Sequence, residues 1–203
     1  MIPLQLADFI FFIDRFFFKH LSFLSNSNIF YKYLYYKNIE EFFRFITKFG
    51  EGYFELLLIV VLFLFILFDK KKFYTFKKYI IAIFFTLLST QIVVNLFKLL
   101  FGRARPSITA NPEKFYGVLT LDYASFPSGH TITIWGTIWI LYFCIKNRYI
   151  RILLFALGFL VGISRIYLVY HWTTDVIASV IISYFIAKFV HSKINFSRHI
   201  FDN

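Results

Sequence analysis

Cysteine occurs once, at Cys144, so no disulfide can close within the chain and cysteine usage leaves the redox compartment open. Charge is scarce too, at 16% of residues, and leans to one sign: 22 Lys and Arg against 11 Asp and Glu, a net charge of +11. A basic balance of this size can signal nucleic acid, but such a partner needs a soluble face on which cations gather. Here they fall mainly in connectors between apolar segments, a pattern that membrane orientation explains, so no nucleic-acid partner is expected. Internal repeats, low-complexity tracts and linkers are missing, and 203 residues leave room for a single domain, taken as 1–203. The opening Met-Ile-Pro-Leu-Gln-Leu-Ala-Asp has neither a positive region nor a small-residue cleavage site after an apolar core. The membrane segments themselves are therefore expected to direct insertion. No Asp/Glu/His cluster with metal-ligand spacing lies near the charged ends of the apolar segments, so neither metal nor cofactor is expected.

What is abundant is apolar. Hydrophobic residues make up 59% of the chain, well above a soluble domain, which favours the membrane class before any segment is placed. The heavy use of Phe (31) and Tyr (14) reads as a compositional habit and carries little functional weight. A bilayer-spanning helix needs ~20 mostly apolar residues. Five segments approach that length: 52–69, 79–101, 130–146, 150–168 and 172–190. The connector with Lys70, Lys71, Lys72, Lys77 and Lys78, the three cations between Lys146 and Arg151, and the tail with Lys193 and Arg198 belong on the cytoplasmic side. Alternation then places the ends near Gly50, Arg105, His130 and His171 together on the outer face.

Residues 4–24 are Phe-rich but carry Asp14, Arg15 and Lys19, so they form either a first spanning helix, giving about six, or an interfacial one. The Ser-Asn-Ser-Asn run at 25–28 breaks the pattern. Asn38 followed by Glu41 reads as a helix start, with Ile39, Phe42, Phe43, Ile46 and Phe49 on one face and Gly50 and Gly52 at the end. This is a short helix in the outer interface or a packed connector. The expected fold is an all-α integral membrane protein: a bundle of about six transmembrane helices with an interfacial helix on the outer face.

Three short stretches carry the chemistry. Lys98 to Pro106 reads K-L-L-F-G-R-A-R-P, Pro127 to His130 reads P-S-G-H, and Ser164-Arg165 is followed by His171 and then Asp175. Ionisable residues at the edges of membrane segments are expensive and point to function by default. A seven-residue spacing is two helical turns and places Lys98 and Arg105 on one face of a helix end. With Arg165 they make three cations able to neutralise a phosphate dianion, although each alone would read as a residue snorkelling to head groups. Ser128 and Gly129 enter a helix whose first N–H groups favour anions; Ser128 can cap it or donate its hydroxyl. His171 and Asp175 are i and i+4. On one helix face the carboxylate would accept from one ring nitrogen, fixing the tautomer and freeing the other nitrogen as a nucleophile.

The series Lys-x6-Arg-Pro, Pro-Ser-Gly-His and Ser-Arg-x5-His-x3-Asp resembles the signature of the type 2 phosphatidic acid phosphatase superfamily, complete and in order over residues 98–175. The same constellation occurs in vanadium haloperoxidases, a branch that a membrane-embedded chain argues against. The resemblance implies a metal-independent lipid phosphatase in which His171 attacks phosphorus, Asp175 orients it, and His130 protonates the leaving oxygen and then activates water. It assigns phosphate binding to Lys98, Arg105, Ser128, Gly129 and Arg165; Arg103, two residues before Arg105, could also reach phosphate, and Ser164 could hydrogen-bond the loop, but neither is expected to be essential. It implies a lipid phosphate substrate in the bilayer: phosphatidic acid, phosphatidylglycerol phosphate, undecaprenyl diphosphate or a lipid A phosphate. A bacterial inner membrane with the site facing the periplasm suits the short chain. A phosphotransferase using the same phosphohistidine, or a non-catalytic lipid-binding protein, are the alternative readings. Oligomeric state is not specified.

Overall fold

The computed structural model describes residues 4–25, 30–67, 70–109, 111–113, 115–116 and 124–194, and among these every regular element is helical apart from one isolated bridge between Arg103 and Phe115. Seven α-helices follow in order: α1 Leu4–Ser25, α2 Phe30–Ile46, α3 Gly52–Leu67, α4 Lys70–Phe101, α5 Gly129–Cys144, α6 Arg148–Tyr167 and α7 Thr173–Lys193, with a 3-10 turn Thr47–Gly50 between α2 and α3. Among the described residues three stretches are long and apolar enough to cross a membrane: Lys77–Phe101, Arg148–Tyr167 and Thr173–Lys193. Among the expected spans, α3 and α5 have only 16 residues each. The molecule is an all-α integral membrane protein.

Helix α5 is the centre of the bundle and packs on α3, α4, α6 and α7. One core joins Ala82, Ile83 and Leu87 of α4 to Ile140 of α5 and Ala187 and Val190 of α7. A second sets Ile134, Trp135 and Ile138 of α5 against Val161 of α6 and Ile46 of α2. The outward faces are studded with large apolar side chains such as Leu57, Phe85, Leu153, Phe159, Phe185 and Phe189, as a lipid environment allows. Polar groups of neighbouring helices bond to one another: Gln91 donates to Thr133 Oγ1 at 2.9 Å, and the Thr137 hydroxyl bonds the buried carboxylate of Glu55.

Several local expectations are corrected. Asn38 is no cap, because α2 begins at Phe30 and runs through it, with Glu40 and Arg44 paired along its exposed side. Its continuation is a 3-10 turn that closes at Gly50. The lysine-rich run from Lys70 to Lys78 is not a connector but the first turns of α4, whose 32 residues reach about 48 Å, beyond the ~30 Å hydrocarbon layer. Lysine is a good helix former, and a helix can carry it past the membrane edge. The segment at Asn26–Asn28 and Arg198 lies outside the described residues.

Helix α1 docks by charge. Asp14 turns inward, accepts from Thr174 N at 2.9 Å and Thr174 Oγ1 at 2.6 Å, and pairs with Arg103 at 2.6 Å. The neighbouring Arg15 stays exposed and pairs with Glu113, tying the same helix to the loop after α4. Without Asp14, Arg103 would keep Asp175 but be left with a buried N–H group short of its acceptor, at a cost of about 1–3 kcal/mol. Asp14→Ala is therefore expected to lower stability by that amount, read as a drop in thermal unfolding midpoint in detergent micelles; an unchanged midpoint would mean α1 is held by its phenylalanines alone.

Candidate active site

Four elements bring the motif residues to one end of the bundle: the C-terminal end of α4 with the loop behind it, the start of α5, the end of α6 and the start of α7. Gly102 ends α4 in the left-handed region (φ 51°), where glycine is at ease. Arg103, Ala104 and Arg105 therefore leave the helix, and Lys98 and Arg105 do not share a helix face as their spacing suggests. Lys98 projects from the last turns of α4 towards the start of α5: a Cβ added to Gly129 would stand 3.8 Å from its Nζ. Arg105 reaches in from the loop with its Nε buried and unpartnered, and Arg165, in the last turn of α6, also has a buried, unpartnered Nε. Arg165 is held by Thr47 Oγ1 at 2.8 Å and lies 4.5 Å over the Tyr170 ring. The charges of Arg105 and Arg165 act together on Lys98, His130 and His171, so the cations and both histidines share one electrostatic neighbourhood.

His171 does not sit on α7. Trp172 caps that helix, and His171 ends a bend in which Tyr170 N and His171 N both donate to Arg165 O and Val169 takes a φ of 60°. A β-branched residue in that region is strained, and strain of this kind persists where the surroundings over-determine the chain. The ring's close partner is not Asp175, whose Oδ2 is 3.8 Å from Nδ1, but the carbonyl of Ser125 at 2.7 Å. A carbonyl only accepts, so Nδ1 carries the hydrogen and Nε2 keeps a free lone pair. Asp175 supports this arrangement from behind. Its carboxylate accepts from Arg103 at 2.5 Å, from Ser125 Oγ at 2.6 Å and from Trp172 N at 3.0 Å. Arg103 is thus turned away from any phosphate, between Asp175, Asp14 and the carbonyl of Pro112. Ser164 only bonds within its own helix, to Val161 O at 2.6 Å.

Helix α5 starts at Gly129 with Ser128 as N-cap residue, but the Ser128 side chain does not cap; its hydroxyl pairs with Thr131 Oγ1 at 2.9 Å and its N–H goes to Ser179 Oγ at 2.9 Å. His130, in the first turn, opens with Lys98 onto a cavity of about 390 Å³ and lies 3.9 Å from the carboxylate of Glu51. Gly50 makes this possible: a Cβ there would stand 2.8 Å from His130 O and 2.9 Å from His130 Cβ.

Apart from Ser125, the residues missed by sequence reasoning come from about the first quarter of the chain. Thr47, Gly50 and Glu51 gave no signal beyond a helix end, and Ser125 gave none. Asp14 did give one, as a carboxylate in the middle of an apolar helix. No group of three or more His, Cys, Asp or Glu residues that could hold a metal occurs among the described residues.

Burial pushes the His171 ring down to a pKa of about 4, Asp175 pulling it up and the two arginines adding to the fall. With the folded-state value below the ordinary one near 6.5, the ring stays neutral until pH falls to about 4. ¹⁵N-histidine NMR in micelles should find an Nδ1–H tautomer that persists at pH 5.5; protonation near pH 6.5 would contradict the geometry. Gly50→Ala should reduce turnover at least about tenfold with helical content retained on circular dichroism, since crowding His130 misplaces it by a fraction of an ångström.

Solved structures with this fold exist. A transmembrane PAP2-type phosphatidylglycerolphosphate phosphatase from Bacillus subtilis superposes with a TM-score of 0.67 at 21% identity, covering 98% of this chain and 90% of its own. LpxE from Aquifex aeolicus gives 0.56 at 23% identity, covering 86% and 93%. At these identities the likeness is one of fold. No curated protein matches the chain. The family match is independent of them: it runs over residues 79–198, more than half the sequence, and takes in Lys98, Arg105, His130, Arg165, His171 and Asp175. By that match this chain belongs to the PAP2 superfamily.

Proposed function

We propose that the chain, acting as one membrane-embedded domain, is a metal-independent phosphatase that removes phosphate from a lipid phosphomonoester or diphosphate through a phosphohistidine on His171. The observation that carries this is the state of His171: Nδ1 is committed to the Ser125 carbonyl, Nε2 is free, and Arg105 and Arg165 stand beside it with buried N–H groups unspent. A neutral imidazole beside fixed cations is suited to attack an anionic phosphorus centre.

In the first step Nε2 forms a bond to phosphorus as the bond to the lipid oxygen breaks, and His130 delivers a proton to that oxygen. His130, now neutral, takes a proton from water; the water oxygen bonds to phosphorus, the P–N bond breaks and inorganic phosphate leaves with His171 restored. Lys98, Arg105 and Arg165 bind the equatorial oxygens, with the Gly129 end of α5 and Ser128 beside them. Asp175 offsets the charge that His171 acquires in the intermediate. The lysine-rich start of α4 and the cations around the α5–α6 connector lie at the bundle end opposite this site, which supports a site on the outer face, the periplasmic side in a bacterial inner membrane. The Bacillus subtilis protein of the same fold is a phosphatidylglycerolphosphate phosphatase, which supports a lipid phosphate as substrate.

The experiment is phosphate release in detergent from phosphatidic acid, phosphatidylglycerol phosphate, undecaprenyl diphosphate and lipid A. Release should persist with EDTA present, because protein cations supply the charge that a metal would otherwise bring. His171→Ala should abolish it, and acid-labile radiolabel should be trapped on the wild-type protein with ³²P-labelled lipid. Dependence on a divalent metal, or activity that survives His171→Ala, would refute the assignment. Release only when an acceptor lipid is added would make the chain a phosphotransferase.

A further inference from the structure

The cavity beside His130 has a chemical character that the transferred phosphate does not require. It lies between the start of α3, the last third of α4 and the first turns of α5, and its polar side chains are Glu51, Gln91, Asn95 and Thr133 together with Lys98 and His130. Its volume, about 390 Å³, exceeds what a phosphate needs. Since His130 hands its proton to the leaving oxygen, the part of the substrate that departs must occupy this cup. The cup continues through Gly52 and Gln91 into an apolar trough of about 210 Å³ walled by Leu56, Phe84 and Leu88 between α3 and α4. A leaving group that stays attached to a lipid tail has its way out along that trough.

The donors and acceptors of the cup define what can sit there. Glu51 offers only acceptor oxygens. Gln91 gives an N–H to Thr133 Oγ1 at 2.9 Å and keeps its carbonyl oxygen, while Thr133 keeps its own hydroxyl hydrogen. Hydroxyl groups, which both donate and accept, fit this set. A second phosphate, which near neutral pH is mostly acceptor and anionic, meets a carboxylate where it needs a donor. Lys98 and His130 are the cup's other charged or titratable groups; the first is committed to the phosphoryl being transferred and the second to the leaving oxygen. Glu51, 3.9 Å from His130 Nε2, faces the leaving group's side of the reaction.

Resting on the phosphatase reading above, we propose that this cup receives the uncharged, hydroxyl-bearing carbons next to the departing oxygen, those of a glycerol or sugar headgroup on a lipid, and that Glu51 is the specificity-determining residue that rejects diphosphates, whose second phosphate would stand there. Juxtaposing like charges in a partly enclosed site is costly, and discrimination is built as much from such repulsion as from attraction.

The test compares kcat/KM of the full chain in micelles for phosphatidylglycerol phosphate, phosphatidic acid and farnesyl diphosphate. The wild type should prefer the first, and phosphatidic acid, whose leaving group brings no further free hydroxyl, should follow. Glu51→Gln removes the charge and keeps the shape; it should raise the ratio of diphosphate to phosphatidylglycerol phosphate by about tenfold, while Glu51→Asp holds the wild-type ratio. Gln91→Leu, at an exposed position, should lower phosphatidylglycerol phosphate relative to phosphatidic acid, and it carries the test should Glu51→Gln not fold. A wild type that favours the diphosphate overturns the proposal. So does a ratio unmoved in both the Glu51→Gln and Gln91→Leu variants, or a folded Glu51→Gln protein slowed equally on all three lipids, which would make Glu51 a general aid to His130. Phosphate release from none of the lipids by the wild type would instead refute the phosphatase reading itself.

Discussion

The guanidinium of Arg103, 2% exposed between the carboxylates of Asp14 and Asp175, is the interaction on which the rest of the site depends. A lone buried charge is far more costly than a buried pair, and even a pair repays its desolvation only when every remaining donor is used. Here they are: Arg103 also gives N–H groups to the Pro112 carbonyl and the Thr174 hydroxyl. From this fixed point a chain of contacts runs to the chemistry. Asp175, held by Arg103, takes the Ser125 hydroxyl and the Trp172 amide; the Ser125 carbonyl takes His171 Nδ1; the Trp172 indole N–H reaches Ala104 O at 2.8 Å and ties this loop to the one that carries Arg105. Asp175 thus acts on the histidine through a backbone carbonyl more than through a direct bond, and the tautomer is set by a group that cannot itself donate.

The long apolar runs and the charges at their ends were legible in the sequence because a bilayer imposes both: backbone groups must bond within a helix, and charges are driven to its ends. That is why α4, α6 and α7 could be placed to within a few residues, save for the lysine-rich start of α4. What spacing misread was local geometry where helices stop. Seven residues from Lys98 to Arg105 imply a shared face only if the helix continues, and Gly102 ends it. Four residues from His171 to Asp175 imply a helical pair only if the helix has begun, and Trp172 begins it one residue too late. In both cases the side chains still reach one place, by a loop where a helix was expected.

The contacts from the chain's first quarter were not legible at all. Asp14 meets Arg103 across 89 residues and Thr47 meets Arg165 across 118, and nothing in either stretch names its partner. The misplaced cap at Asn38 has the same origin, since asparagine is common at helix starts but the packing of α2 against α6 overrides a local preference worth about 1 kcal/mol. A sequence shows which residues are too expensive to be idle, and only the fold shows what they are spent on.

The two arginines explain why so much structure is devoted to holding the site open. Arg105 and Arg165 each leave a buried Nε without a protein partner, against the general rule that buried polar atoms are bonded. Their like charges act on one another's neighbours with few carboxylates to offset them: Arg103 consumes those of Asp14 and Asp175, which leaves Glu51, 3.9 Å from His130 Nε2, as the carboxylate whose charge acts on Arg165. The protein thereby separates two electrostatic tasks that lie only residues apart in sequence. Arg103 is neutralised and Asp175 holds the loop, whereas Arg105 is left unneutralised, as the proposed binding of phosphate requires. A site that satisfied every charge internally would be more stable, and under that proposal would have nothing left with which to bind phosphate.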